Sequence, residues 1–241
     1  MFKQLLLIAF LIPSISAVAS PEKDYDEFVS YFENRFPDTP FEDYKNGVYS
    51  IDKSAREQWE AMEEFPPYEL NVDRGEELFN RPFKNGNTYG SCFENDGIGI
   101  RQNYPYFDTE KNKVVTLEGA LNDCRVKNGE KPLSYFKGKE LAHVSAYMAY
   151  TSRGNKFNVQ IPNTKEALDA YEDGRRLYFT KKGQLNFSCA DCHVYQTGTK
   201  LRADIPSPAI GHPTHFPVSV SYTHLRAHET GRNLVCRLLL E

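Results

Sequence analysis

Two thiols three residues apart, followed at once by an imidazole, stand in Cys189-Ala190-Asp191-Cys192-His193. On one turn, cysteines at that spacing can add across the two vinyl groups of a single porphyrin while the adjacent imidazole reaches its iron. One short segment then supplies both thioether links and an axial ligand. The spacing is the attachment pattern of c-type haem and predicts one covalently held haem c at Cys189, Cys192 and His193. Three other chemistries use the same residue types. A redox dithiol needs a βαβ setting, which the polar, Pro-rich flank does not offer. Zinc needs a second ligand pair, for which His212 and His215 give an HxxH spacing. The third is a plain disulfide beside an unrelated histidine.

A haem iron also takes a ligand on its far face, and the side chains open to that role are His143, Met148, His212 and His215. His143 reads as a packed or surface residue on a helix, whereas the stretch His212-Pro213-Thr214-His215 reads as pocket lining. A second cysteine context, Tyr89-Gly90-Ser91-Cys92-Phe93, has Tyr where the first thiol of the pattern would be and Phe where the imidazole would be, so it cannot hold a covalent, His-ligated haem. With Cys189 and Cys192 committed to the motif, Cys92 is left to pair with Cys124. That bond closes a loop worth on the order of 3 kcal/mol in the chain-entropy model.

Helices must carry these groups. Asp73 to Phe79 reads as a short helix, and Glu140 to Arg153 as a longer one whose Leu141, Val144 and Met148 lie on an apolar face, with Gly154 as its stop. After Pro162, Asn163 is the expected cap of a helix running to Phe179, and Gly183 turns the chain toward the motif. Beyond it, Pro206, Pro208, Pro213 and Pro217 are too dense for helix or central strand. Both helical units run from a Leu-Phe or Leu-Tyr-Phe helix through a Gly-containing loop to a cysteine, which suggests an internal duplication.

Composition narrows the function classes. The chain has 241 residues, 40% hydrophobic and 13% aromatic, which is enough to bury a core. A formal charge of −4 leaves no global positive field for a nucleic-acid backbone. Lys3, the apolar run Leu5 to Ile12 and Ala17-Val18-Ala19 form a signal-peptide pattern over residues 1–19, too short to span a bilayer, and place the mature chain in an oxidising compartment. Residues 20–67 form an acidic, aromatic extension expected to pack on a domain rather than make one. From Val220 to Glu241 the text reads as a translated sequencing adapter, so His224, His228 and Cys236 carry no functional weight.

Taken together, these residues resemble the SoxA family, cytochrome c subunits of thiosulfate-oxidising enzymes. The likeness covers most of positions 70 to 218. It is carried by Tyr104-Pro105-Tyr106-Phe107-Asp108, Cys124-Arg125, Asn128-Gly129-Glu130-Lys131-Pro132-Leu133, Ser145-Ala146-Tyr147-Met148, Gly183 through His193, and Thr214-His215-Phe216-Pro217. The resemblance implies a mainly α fold of two tandem cytochrome-c-like domains: 68–160 without haem, where a disulfide like Cys92 to Cys124 replaces it, and 161–219 as the incomplete haem-binding domain. It implies a periplasmic heterodimer with the small cytochrome SoxX. The pair joins thiosulfate oxidatively to a cysteine of the carrier SoxYZ and passes the electrons out through haem, with no nucleic acid and no membrane span. The family's sulfur-carrying cysteine is expected downstream of Pro217, where the adapter-like tail stands, so the catalytic residue is unassigned. The alternative reading is a non-catalytic electron-carrier or haem-binding module.

Overall fold

The computed structural model describes residues 20–135, 137–202 and 204–215. The signal-like leader and the adapter-like tail lie outside the described residues. The fold is mainly α: α1 (Pro21–Arg35), α2 (Lys53–Met62), α3 (Glu69–Asn80), α4 (Leu117–Lys127), α5 (Glu140–Thr151) and α6 (Lys165–Phe179), with one small antiparallel hairpin. In the hairpin β1 (Tyr106–Asp108) pairs with β2 (Lys113–Val115), Phe107 opposite Val114.

Two apolar clusters organise these elements. The first gathers Leu78 and Phe79 of α3, Leu117 and Leu121 of α4, and Leu141, Val144 and Met148 of α5. Its centre is the crossing of α3 and α5, where a Cβ on Gly75 would lie 2.0 Å from the His143 carbonyl oxygen. Only hydrogen fits there. His143 packs at this crossing and Met148 is fully buried in the first cluster, so neither is brought to the CxxCH segment. Thr116 starts α4, its hydroxyl accepting the Gly119 N–H at 3.0 Å.

The second cluster draws on both ends of the described chain: Phe32 of α1 and Tyr44 from the turn Phe41–Ser50 join Tyr171 and Tyr178 of α6, Ala190 and Val194 of the motif, and Ile210. Tyr171 donates to Asp24 Oδ2 at 2.9 Å, and Arg175 Nε lies 3.2 Å from the same oxygen. The turn Phe41–Ser50 and the 3-10 helix Ala209–His215 approach so closely that a Cβ on Gly211 would sit 2.1 Å from Tyr44 O. The 20–52 stretch is therefore part of the core that surrounds the motif.

Several local expectations shift. Thr164, not Asn163, caps α6, because its hydroxyl accepts the Ala167 N–H at 3.3 Å. The short helix expected at Asp73 to Phe79 extends to Glu69–Asn80. The Pro-rich stretch after the motif includes one helical piece, Ala209–His215, of the tighter 3-10 type that tolerates such a sequence. Gly174 in α6 is buried as Gly75 is in α3, each three residues before a Leu and four before a buried aromatic, Tyr178 and Phe79.

Candidate functional site

The CxxCH residues occupy a short helix clamped at both ends. At its start Ser188 and Asp191 form a reciprocal cap. Ser188 N–H donates to Asp191 Oδ2 at 2.7 Å, and Asp191 N–H donates to Ser188 Oγ at 3.0 Å. The backbone N–H of Ser188, then its hydroxyl and the nearby Lys181, hold the Asp191 carboxyl below the usual carboxylate range. From Asp191 to Tyr195 the turn widens to the π type, with Gln196 N–H donating to Asp191 O at 3.0 Å. Such wide turns recur at functional sites.

Cys189 and Cys192 are both free thiols, each half-buried. Their neighbour His193 has its Nδ1 3.0 Å from the Ser207 carbonyl oxygen and 3.0 Å from Nε2 of His212. The two imidazoles meet edge to face at 4.3 Å between centroids. A histidine that offers Nε2 to a metal carries its proton on Nδ1, and the Ser207 carbonyl is placed to accept it. The pocket-lining position expected of His212 is thus beside the axial candidate, while the side chain of His215 lies outside the described residues.

These residues suit a covalent haem. Two unpaired thiols share one turn with an imidazole oriented by a carbonyl. The segment leading into them also exposes Leu185 at 79% and Phe187 at 60%, apolar surface of the kind a porphyrin face covers. Among the described residues no group of three or more His, Cys, Asp or Glu could hold a metal ion, and the His215 side chain of the alternative zinc pair lies outside them.

In the first cluster Cys92 and Cys124 form a disulfide, with 5.8 Å between their Cα atoms. Asn128 braces it, its amide donating to Cys124 O at 2.9 Å while its carbonyl oxygen accepts from Asn85 and Asn87, both at 2.8 Å. Tyr89, the residue at the first thiol position of the pattern, fills this core, stacks on Phe79 and packs edge-on against Phe83. Beside it a cavity of about 200 Å³ is lined by Leu78, Phe83, Tyr89, Arg125 and Val144.

Residues 74–157 match the SoxA/TsdA, cytochrome c domain family model, which gives the class of the unit built on the α3–α5 crossing. The matched stretch is the disulfide-bearing unit and ends before the CxxCH. Over 197 residues the chain is 53% identical to the L-cysteine S-thiosulfotransferase subunit SoxA of Chlorobaculum tepidum, covering 82% of this chain and 68% of that one. The SoxA subunit of Allochromatium vinosum is 51% identical over 201 residues, covering 83% of this chain and 71% of that one. A chain in the crystal structure of SoxXA from P. pantotrophus superposes with a TM-score of 0.57 at 27% identity, covering 73% of this chain and 72% of that one. The chain belongs to the SoxA family of L-cysteine S-thiosulfotransferase subunits. The cytochrome c domain and the SoxA relatives imply a haem c cofactor.

Sequence reading singled out the thiols and His193 but not the groups that hold them. Ser188 and Asp191 carried a signal, the S-x-x-acid spacing of a helix start. The side chains of α1 that reach the motif carried none.

Proposed function

We propose that this chain is the haem-carrying subunit of a periplasmic enzyme that joins thiosulfate to a cysteine of the carrier SoxYZ, working as a heterodimer with SoxX. Cys189 and Cys192 would hold one haem c by thioether bonds, and His193 would offer its imidazole to the iron. The observation that carries this reading is the pair of free thiols beside an oriented imidazole on a doubly clamped turn, in a chain of the SoxA family. The fold is read as two tandem cytochrome-c-like domains, 68–160 retaining a disulfide and 161–219 carrying the haem.

The reaction sets the requirements. Joining a carrier thiol to thiosulfate makes one sulfur–sulfur bond and releases one proton and two electrons. A bound haem would supply one-electron redox chemistry to carry those electrons away. The protein's own part is to hold and to attract. The Ser207 carbonyl stands 3.0 Å from Nδ1 of His193, where it would accept a proton carried there and leave Nε2 for metal. Lys182, Lys200 and Arg202 stand exposed in the segments flanking the motif and supply the sign of charge that draws an anionic sulfur substrate. The Cys92–Cys124 disulfide is at home in an oxidising compartment, and among the described residues no helix is long and apolar enough to cross a membrane.

The test is mass spectrometry of protein matured in a host competent for cytochrome c assembly. The tryptic peptide containing Cys189 to His193 should carry the mass of one haem, and Cys192→Ala should leave a single thioether. An unmodified peptide from the wild-type chain overturns the reading.

A further inference from the structure

The carbonyl end of the motif helix is held by side chains that lie 160 or more residues upstream. The last carbonyls of any helix have no partner within it. Here Tyr31 Oη donates to Val194 O at 3.2 Å. Arg35 Nη2 donates to Tyr195 O at 3.0 Å and to Thr197 O at 2.9 Å, and its Nε reaches Thr197 O at 3.3 Å. The fork is itself steadied, because Arg35 Nη1 donates to Tyr31 Oη at 3.2 Å. Between the two, Phe32 is fully buried in the cluster that contains Ala190 and Val194. One turn of α1 therefore holds the end of the His193 turn by hydrogen bonds and adds Phe32 to the cluster that packs Ala190 and Val194.

We propose that Arg35 and Tyr31 are positioning residues for His193. They fix the end of its turn and thereby the plane and reach of its imidazole. A π-type turn is wider and less well bonded than an α turn, so its geometry depends on outside support. A guanidinium at a helix C-terminus supplies that support twice, by fork-like hydrogen bonds and by opposing the dipole. The Ser207 carbonyl orients the ring; α1 anchors the backbone from which the ring projects. This role rests on the haem assignment above.

The test compares wild type, Arg35→Met, Arg35→Lys and Tyr31→Phe, all matured with haem. Three quantities are read: covalent haem per chain, the g-values of the ferric haem in electron paramagnetic resonance, and the midpoint potential. Haem content should be equal in all four proteins. Arg35→Met should shift both the g-values and the potential. Tyr31→Phe should shift them less, and Arg35→Lys should recover part of the change, since one ammonium replaces one arm of the fork. Unchanged g-values and potential in a haem-loaded Arg35→Met protein overturn the proposal and leave the haem assignment standing. Absence of covalent haem from the wild type overturns the haem assignment and this role with it. If Arg35→Met does not accumulate, Tyr31→Phe decides, because it removes only a hydroxyl; wild-type g-values and potential there overturn the proposal.

Discussion

Gly75 in α3 passes so close to His143 in α5 that an added Cβ would fall 2.0 Å from the His143 carbonyl oxygen and 2.9 Å from Cβ of Tyr147. In an exposed helix interior, replacing glycine by alanine stabilises by about 1 kcal/mol. At this crossing the sign reverses, because the obstacle is backbone and cannot swing aside. Gly75→Ala should cost roughly 1–3 kcal/mol, read as a lower urea midpoint with the slope unchanged.

His143 gives the same crossing a pH dependence. Burial, together with Lys139 and Arg74, pushes its pKa below the ordinary 6.5, against the opposing pull of a hydrogen bond to the Asn71 backbone and of Glu140. The unfolded chain therefore takes up this proton first as pH falls through 6.5. The native state loses stability from there down to the depressed folded value, below which the loss is complete. His143→Gln should flatten that part of the stability curve, as measured by urea unfolding at a series of pH values.

Asp24 ties α1 to α6 through Tyr171 and Arg175. Asp24→Ala leaves the Tyr171 hydroxyl without its acceptor and should cost about 1–3 kcal/mol. Adding Tyr171→Phe to that variant removes the stranded hydroxyl and should restore part of the loss, which a double-mutant cycle measures.

The Cys92–Cys124 bond spans 32 positions of sequence. Replacing both cysteines by serine should cost roughly 3–4 kcal/mol in the chain-entropy model. Asn128→Ala should cost about 1 kcal/mol with the bond intact, since it removes side-chain hydrogen bonds to Asn85, Asn87 and Cys124 while the exposed asparagine amides turn to water and the Cys124 carbonyl keeps the Asn128 backbone N–H. Thermal unfolding of the two variants separates these contributions.

What was legible in the chain was what is local. Cys189, Cys192 and His193 announce their chemistry within five residues, and α5 and α6 show their apolar stripes within one window. Cys92 and Cys124 could be paired because few other thiols compete. The cap at Thr164 was misplaced by one residue, since Asn163 and Thr164 are both good caps and only the hydrogen bond to Ala167 decides. Residues 20–67 read as an extension that packs on a domain, but their acidic residues mask which apolar ones do the packing, Phe32 and Tyr44. The grip of Arg35 on Tyr195 and Thr197 was beyond reach of any pattern, because no periodicity links side chains separated by 160 positions.

That long separation also orders the protein's biogenesis. Phe32 finds only Phe28, Tyr31 and Tyr44 nearby in sequence, so its cluster stays incomplete until α6 and the motif turn join it. The unit built on the Gly75 crossing draws its contacts from one continuous stretch and can condense first. On contact order alone the core around the thiols closes after it, which leaves Cys189 and Cys192 accessible for longer than the first cluster's side chains.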